Sequence, residues 1–465
     1  MKKNKFRKLL PITMSLMMAF GMATTAFAAD WTVYQGNDNH NGVVTNAPIT
    51  NAASVSTIAL TKNGSGWDGV DNVPVMQTVG ANTYAYVLYD GYAVNGDQGG
   101  ARLAKINCNA GSEVWNVQVG TNSGFQLSTP LLVQGADSAS ENDDSIFAAV
   151  QVSGGSKIVK VTDLGNATPT VNDFKTGITG QINTPVTKYG EYIYFGTWIG
   201  NGSIEGSNAP GAYYQVKHND ASDTQSMPSI SKGFYWTGAV AVGNELYFGG
   251  DGGYLYHRTM GSGFGTSTNA EVYESAITLP AISGNAAGDV RSTVCLNGNK
   301  LYFTSKGAGS NGNLYCYDVA TATAPTFSWG AKLAGTCTST PTVAKNGNIY
   351  VGYYSGFNAG GIQKVMAPTS GSEGSVVTLN PTGWNQPVQC SPLVRTVGPN
   401  DYIFVNTNSG TGAGYCFKVG SSVTAANQAT QVWSTPANTY ALGGMACSNG
   451  YIVFGNDYNN LYIVH

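Results

Sequence analysis

The sequence predicts an all-β protein, an eight-bladed β-propeller of four-stranded antiparallel blades. First, a unit of about 50 residues recurs eight times. Second, the chain contains 61 glycines, its short apolar runs are separated by Gly- and Asn-rich turns, and it shows no run of helical periodicity. Third, the last unit is one strand short, while a spare strand precedes the first unit. Four short antiparallel strands per repeated unit are typical of a propeller blade.

The N-terminal residues 1–28 have the pattern of a secretory signal peptide. Basic residues are concentrated in residues 2–8, an apolar stretch occupies residues 9–23, and residues 26–28, Ala-Phe-Ala, form a small-residue cleavage site. No second apolar span follows, and Pro11 interrupts the first, which disfavours a retained membrane anchor. We therefore expect a secreted, extracellular or cell-surface protein whose single domain, the propeller, occupies residues 29–465.

Removal of the signal peptide makes the protein acidic. The full chain has 23 basic and 26 acidic residues, and the signal peptide carries five of the basic ones and no acidic one. The mature chain would therefore have a net charge of −8. Nucleic acids and anionic membranes attract basic surfaces, so neither is expected as a partner.

Each repeat begins with a Pro or a small residue, followed by an apolar run, a polar turn and the pattern Ile/Leu-Tyr-Phe/Val-Gly. The spacing between successive repeats is 48 to 56 residues. We expect the first strand of each blade to begin at these positions: 74, 130, 185, 238, 293, 341, 392 and 444. A Gly/Asn-rich hairpin and a third strand follow, and the fourth run often carries a tryptophan, as at Trp115, Trp329 and Trp433.

The ends of the chain indicate how the ring closes. The last unit ends after its third strand, and residues 56–61 form a spare strand ahead of the first unit. Pairing of these two segments would complete the last blade and remove the open edges of the sheet. A seven-bladed ring and an open solenoid with capped ends are the alternatives.

Two segments resemble pyrroloquinoline-quinone-like repeat propellers, the quinoprotein dehydrogenase-like family. Residues 31–42 resemble its opening motif Trp-x-x-Phe/Tyr-x-Gly-Asn/Asp-x-x-x-x-Gly, and residues 104–115 resemble its docking repeat Ala-x-Asp-x-x-x-Gly-x-x-x-Trp. The resemblance covers essentially the whole mature chain, and it implies that the docking Trp packs between neighbouring blades.

This family contains quinoprotein dehydrogenases, which hold the quinone and Ca²⁺ in the propeller channel, as well as non-catalytic propellers. The chain lacks the adjacent cysteines of many alcohol-oxidising members and has no Cys-x-x-Cys-His haem-attachment motif. Only the first blade keeps the Ala, Gly and Trp of the docking repeat. No cofactor is therefore firmly implied, although the resemblance leaves both the quinone and calcium open.

The channel mouth, where the first strands begin, is the candidate site. Side chains of a strand alternate between its two faces, so residues of one parity should line the channel. The residues two positions before each repeat start are Asn72, Ser128, Asn183, Trp236, Arg291, Ser339, Cys390 and Leu442, and those four before include Gln126, Gln181 and Asp289. Those three before are mostly apolar, which predicts that they face away from the channel.

Arg291 and Trp236 are the strongest candidates for ligand contacts in this ring. A guanidinium suits carboxylate or quinone oxygens and an indole offers a stacking face, so together they would suit a flat anionic ligand. Alternatively, Arg291 pairs with Asp289 and Trp236 packs against a neighbouring blade. Asp251 and Asp457 could contribute to a Ca²⁺ site, but aspartates in Gly-rich hairpins usually form the turn.

The mature chain has seven cysteines, all without Cys-x-x-Cys spacing. Pairing between blades is allowed in an exported protein, with at least one thiol left over, and buried free thiols are the alternative. The four histidines have no metal-ligand spacing, so no metal site is predicted.

The first functional hypothesis is a secreted, non-catalytic propeller that binds an extracellular protein, a glycan or a cell-envelope component through its loop face. The insertion at residues 198–232 would be a contact loop. The alternative is a quinone- and calcium-dependent oxidoreductase acting on an alcohol or sugar, which predicts that Arg291→Ala abolishes quinone binding. A glycan-active lyase or hydrolase is a third reading, for which the sequence indicates no catalytic residues.

Overall fold

The computed structural model describes residues 30–51, 53–60, 69–91, 100–121, 125–136, 140–200, 210–265, 276–319, 325–458 and 460–465. The predicted signal peptide at residues 1–28 lies outside these ranges. Within them, no helix is long and apolar enough to cross a membrane. The helical residues among those described form two single turns, Tyr34–Gly36 and Gly261–Gly263.

The described strands form eight four-stranded antiparallel sheets, as the sequence predicts for a propeller. The first four blades consist of β2 (Val75–Val79), β3 (Asn82–Gly91), β4 (Gly100–Asn107) and β5 (Ser112–Gln118); β6 (Leu131–Val133), β7 (Ser145–Val152), β8 (Gly155–Leu164) and β9 (Ala167–Thr179); β10 (Thr187–Tyr189), β11 (Tyr192–Gly196), β12 (Tyr213–Lys217) and β13 (Asp220–Ser226); and β14 (Val240–Val242), β15 (Glu245–Gly250), β16 (Tyr254–Thr259) and β17 (Ala276–Thr278).

The remaining blades have the same strand order. They consist of β18 (Cys295–Asn297), β19 (Lys300–Ser305), β20 (Asn313–Asp318) and β21 (Thr326–Lys332); β22 (Thr342–Val343), β23 (Ile349–Ser355), β24 (Ala359–Met366) and β25 (Ser375–Thr378); β26 (Leu393–Val397), β27 (Asn400–Asn406), β28 (Gly414–Gly420) and β29 (Thr430–Ser434); and β30 (Ala446–Ser448), β31 (Tyr451–Gly455), β32 (Asn460–Val464) and β1 (Val55–Ala59).

The N-terminal strand closes the ring as predicted. β1 pairs antiparallel with β32 over five residues, with Val55 opposite Val464 and Ala59 opposite Asn460. The last repeat supplies three strands of the eighth blade, and β1 adds the fourth, at the outer edge. The structure confirms eight blades and excludes both the seven-bladed ring and the open solenoid.

Tryptophans on the fourth strands connect neighbouring blades, as the docking-repeat resemblance implies. The indole nitrogen of Trp115 on β5 donates to Asp163 Oδ1 on β8 at 3.1 Å, across the interface between the first and second blades. Trp329 on β21 packs in one apolar cluster with Val351 of the sixth blade. Trp433 on β29 packs in one cluster with residues of the eighth blade. Burial of these rings between sheets stabilises the ring through apolar contact area.

A buried ion pair also links the first two blades. Lys105 Nζ lies 2.8 Å from Asp163 Oδ2, and both side chains are fully buried. The Tyr86 hydroxyl donates to the same Asp163 oxygen at 2.6 Å. Lys105 also contacts Glu141 at 3.2 Å, so the buried charges have partners from both blades.

The predicted contact loop at residues 198–232 contains two strands of a blade and is not a single loop, which corrects that prediction. Residues Tyr213–Lys217 and Asp220–Ser226 are β12 and β13, the two outer strands of the third blade. The polar character of Asp220–Ser226 suggested a loop because this outermost strand is half-exposed and carries few apolar side chains. Residues 201–209 lie outside the described part of the chain.

A segment ahead of β1, residues 30–49, crosses the ring on the side toward which the first strands run. We call it the N-terminal segment. It makes hydrogen bonds to the first strands of several blades: Trp31 to Met76, Thr32 to Leu132, Asn39 to Leu296, and both Gly42 and Val44 to Val394. Because these partners lie on blades all around the ring, the segment covers one end of the channel.

All seven cysteines are buried and free. Burial raises the pKa of every one of these thiols, so they are protonated at neutral pH. Of the two sequence interpretations, the structure agrees with buried free thiols rather than disulfides between blades.

Candidate functional site at the channel mouth

The channel contains two adjoining cavities at the mouth where the first strands begin. The inner cavity has a volume of about 60 Å³ and the outer cavity about 210 Å³. Asp71, Leu127, Trp236, Gln389 and Leu442 line both, so the two volumes are continuous. The N-terminal segment contributes Tyr34 to the wall of the inner cavity. Its hydroxyl is 2.6 Å from Ser391 Oγ, so the segment reaches into the channel from the covered end.

Most of the predicted ring meets at the inner cavity. Of the residues two positions before the repeat starts, six line it: Asn72, Asn183, Trp236, Arg291, Cys390 and Leu442. The alternation of faces is less regular than the sequence suggests, because Asp71, Leu127 and Gln389, from the position predicted to face away, line the cavities too. The residues just before the first strands are not in strand conformation, so side chains of both parities reach the channel.

The other predicted site residues act within the wall. Ser128 is buried and donates to the Thr184 carbonyl at 2.6 Å. The Gln126 carbonyl accepts a hydrogen bond from the Asn72 side-chain amide at 2.7 Å. Asp289 Oδ1 accepts from the backbone amide of Gly252 at 2.9 Å, which fixes the hairpin after β15. These contacts hold neighbouring blades together at the mouth.

Arg291 is a structural residue of the channel wall. Its Nε and Nη2 each donate to one oxygen of Asp251 at 3.0 Å, and the guanidinium lies 4.6 Å from the centre of the Tyr235 ring. Asp289 is a second, longer ion-pair partner at 3.5 Å. The structure therefore contains the predicted pair of Arg291 and Asp289, but the main partner of Arg291 is Asp251. Burial outweighs the attraction of Arg291 and raises the pKa of Asp251 to about 6.

Trp236 lies at the boundary between the two cavities. Its backbone has a φ of 61°, a left-handed conformation that a bulky residue rarely adopts. The ring contacts Tyr235 edge-on, with the ring centres 4.8 Å apart. Strained backbone is retained where the surroundings fix it and is concentrated at functional sites, which makes Trp236 a candidate ligand contact.

The outer cavity is lined by aromatic side chains that sequence reasoning missed. Phe125, Phe357 and Tyr440 line it together with Tyr235 and Trp236. Phe125 is 41% exposed and Phe357 is 50% exposed. Phe357 contacts Tyr440 edge-on at 5.7 Å between ring centres. These residues come from loops and hairpins without a periodic pattern, so the sequence carried no signal that places them together.

Two buried amide oxygens of the inner cavity have no hydrogen-bond partner among the described residues. They are Oδ1 of Asn72 and Oδ1 of Asn183, whose side chains are 2% and 0% exposed. The Asn72 amide nitrogen donates to the carbonyls of Leu88 and Gln126 at 2.8 and 2.7 Å, which fixes the orientation of the amide. An unsatisfied buried acceptor costs free energy, so these atoms favour a ligand that donates hydrogen bonds.

The residues present do not fit the quinone and calcium that the family resemblance leaves open. Two of the Arg291 donors, Nε and Nη2, are bound to Asp251, and Asp71 and Asp289 add negative charge nearby. The uncommitted groups are acceptors, whereas an anionic quinone requires donors. Asp251 and Asp457 do not belong to a cluster of three metal-ligating side chains among the described residues.

Comparison with known proteins supports the fold. No protein-family profile matches the chain. No curated protein matches it either. Among solved structures, a europium-containing methanol dehydrogenase is similar with a TM-score of 0.53 and 9% identity, over 92% of this chain and 89% of that one. Sqt1 of Saccharomyces cerevisiae gives 0.54 and 11%, over 89% and 98%. The computationally designed Ika8 protein gives 0.50 and 10%, over 87% and 98%.

These identities are low, so the likeness concerns the fold alone. The eight-bladed ring and the similarity to these structures support a propeller fold. Activity depends on the site rather than on the fold. The chain is therefore an eight-bladed propeller with its own set of residues at the channel mouth.

Proposed function

We propose that this protein is a secreted, non-catalytic propeller that binds an extracellular protein, a glycan or a cell-envelope component at the channel mouth. The observation that carries the proposal is the group of five aromatic side chains that lines this mouth, two of which, Phe125 and Phe357, are exposed. Aromatic side chains supply large contact areas with little loss of conformational entropy on binding. The covered opposite end of the channel leaves the mouth as the face through which a ligand enters.

The charge and the shape of the site agree with a binding role. The net charge of −8 expected for the mature chain disfavours nucleic acid and anionic membranes as partners. Aromatic and aliphatic side chains form most of the outer cavity, and polar side chains line much of the inner cavity, so the site offers both apolar contact area and hydrogen-bonding groups to a ligand. Arg291 is the basic residue that lines the inner cavity, and its ion pair with Asp251 fixes it in the channel wall.

The test is co-sedimentation of the purified chain 29–465 with an insoluble cell-envelope fraction from the producing cells. We expect Phe125→Ala/Phe357→Ala to weaken binding at least tenfold, because both side chains are exposed and their loss removes contact area. Val397→Ala is the matched control, since Val397 is 39% exposed at the end of β26, on the opposite face. Equal binding by the double variant and the control would contradict the proposal.

The oxidoreductase alternative is tested by calorimetric titration with pyrroloquinoline quinone, with and without Ca²⁺. We expect no binding, because Asp251 holds the Nε and Nη2 donors of Arg291 and the unpartnered oxygens of Asn72 and Asn183 are acceptors. Tight, calcium-dependent binding of the quinone would contradict the proposed non-catalytic function and support an oxidoreductase with its site at the channel mouth.

Export is tested separately by N-terminal sequencing of the protein recovered from the culture medium or the cell surface. We expect the mature chain to begin at Ala29, directly after the predicted cleavage site. Recovery only inside the cell, with the N-terminus intact, would contradict the secreted localisation.

A further inference from the structure

We infer that the ligand recognised at the channel mouth is an uncharged carbohydrate, with one sugar ring in the outer cavity and its hydroxyl groups directed to the inner cavity. This inference rests on the proposed binding function and names its ligand class. Four features of the described residues carry it: the cavity dimensions, the aromatic walls, the uncommitted acceptors and the balance of charges.

The dimensions of the site limit the size of what enters. An outer volume of about 210 Å³ above an inner volume of about 60 Å³ accommodates one compact unit and a small polar extension. Stable protein–protein interfaces bury well over 1,000 Å² across broad surfaces, whereas these two cavities are small and concave. A single sugar residue of a longer glycan is a unit of suitable size for such a site.

The walls of the outer cavity suit the C–H-rich face of a sugar ring. Trp236, Phe357 and Tyr440 present aromatic surface there, and Leu127 and Leu442 extend the apolar wall. Gln389 and Asn408 contribute planar amide groups to the same cavity, and Asn408 Nδ2 donates to Gln389 Oε1 at 2.7 Å. Each amide has further donor and acceptor capacity, so the pair can also exchange hydrogen bonds with hydroxyls at the edge of the ring. Apolar walls with a few placed polar groups both hold and orient such a ligand.

The inner cavity selects for hydrogen-bond donors. Oδ1 of Asn72 and Oδ1 of Asn183 accept no hydrogen bond from the described residues, although both side chains are at least 98% buried. A hydroxyl group of a ligand would satisfy such an acceptor and recover the free energy that its burial costs. The fixed Asn72 amide nitrogen, bound to Leu88 and Gln126, keeps the acceptor in place before the ligand arrives.

The charges at the site disfavour an anionic ligand. Asp71 lines both cavities and Asp457 lines the outer one, so an anionic group would meet like charges. Arg291 lines the inner cavity but is already paired with Asp251, so it offers an anion little uncompensated positive charge. A neutral, hydroxyl-rich ligand avoids this repulsion while it supplies donors to the two asparagine oxygens.

The experiment is calorimetric titration of chain 29–465 with three soluble neutral tetrasaccharides: the N-acetylglucosamine tetramer, cellotetraose and maltotetraose. We expect at least one to bind. We expect Asn183→Leu, which keeps the volume but removes the acceptor, to weaken binding roughly threefold to tenfold. Phe357→Ala should also weaken it, and because Phe357 is half-exposed this variant tests the site without disturbing the core. Val397→Ala should bind as the unchanged chain does.

Periodate or protease treatment of the envelope fraction shows whether the carbohydrate assignment alone is wrong or the proposed binding function as well. If periodate oxidation of its sugars abolishes binding that depends on Phe125 and Phe357, the carbohydrate assignment is supported even without a matching tetrasaccharide. If protease abolishes that binding and periodate does not, the mouth binds protein and the assignment is overturned, while the proposed function stands. If neither the envelope fraction nor any tetrasaccharide binds, both are overturned.

Discussion

The buried ion pair of Arg291 and Asp251 allows a quantitative prediction about Arg291→Met. The substitution removes the guanidinium but retains an unbranched apolar side chain of similar length. Arg291 is 1% exposed and Asp251 is fully buried, so the carboxylate loses its counter-charge in a place where water does not replace it. Breaking a buried pair from one side typically costs about 3–5 kcal/mol.

Protonation of Asp251 limits the loss of stability that Arg291→Met can cause. An unpaired buried carboxylate can take up a proton, and for an ordinary pKa of 3.8 this costs about 4 kcal/mol at pH 7 and about 2 kcal/mol at pH 5. In the variant, the pKa of Asp251 is raised further above its unfolded value. Stability from such a group is present at low pH and is lost as the pH rises. In the unchanged protein Asp251, with a pKa of about 6, also takes up protons between pH 7 and pH 5, which offsets part of this effect. Arg291→Met should therefore be more destabilising at pH 7 than at pH 5, by about 1 kcal/mol.

The assay is urea-induced unfolding followed by circular dichroism at both pH values. Lys300→Met is the matched control, because Lys300 and Asp318 form a 2.7 Å ion pair with both side chains about 40% exposed. Such an exposed pair contributes about 1 kcal/mol or less. The double variant Arg291→Met/Asp251→Asn should recover part of the loss. If Arg291→Met were no more harmful than Lys300→Met, or equally harmful at both pH values, the reasoning about the buried pair would be refuted.

Three further predictions concern other buried polar groups. Trp115→Phe should destabilise the protein by roughly 2 kcal/mol in urea unfolding, because it removes the hydrogen bond to the buried Asp163 carboxylate. Burial lowers the pKa of His40, so the stability that depends on its neutral form is present above pH 6.5 and is lost on acidification; His40→Asn should reduce the loss of melting temperature between pH 7 and pH 5. Hydrogen bonds from Tyr350 and other donors outweigh burial and lower the pKa of Asp401, so Tyr350→Phe should cost roughly 1–3 kcal/mol at pH 7 and less at pH 3 by the same unfolding measurement.

Local patterns in the sequence were sufficient for the fold. The repeat starts predict the first strands because each blade has to bury the same inner strand between the same neighbours. Trp115, Trp329 and Trp433 could be assigned to fourth strands because their spacing from the preceding turns is repeated. The closure by β1 could be predicted because the last repeat lacks a strand and the N-terminal end has a spare one. Pairing of the two completes the last blade and leaves no open sheet edge.

The partners at the site could not be predicted in the same way. Asp289 is two residues from Arg291 and was the natural candidate from sequence, but the main partner, Asp251, comes from a hairpin of the preceding blade 40 residues away. The aromatic residues of the mouth, such as Phe125 and Phe357, come from connections whose course is set by the packing of the whole ring. Sequence periodicity describes a blade, whereas the site is made where blades meet.

The N-terminal segment connects the completion of the fold to the formation of the site. β1 pairs with β32, so the eighth blade can be completed only after the last strand of the chain has been made. The segment before β1 simultaneously contacts Met76 of the first blade and Val394 of the seventh, and places Tyr34 in the wall of the inner cavity. Contacts between residues so distant in sequence form late, because the entropy of closing the loop is lost before the contacts stabilise it. Closure of the ring therefore completes the covered end and the binding cavity at the same time. Before closure, the chain lacks a complete binding site.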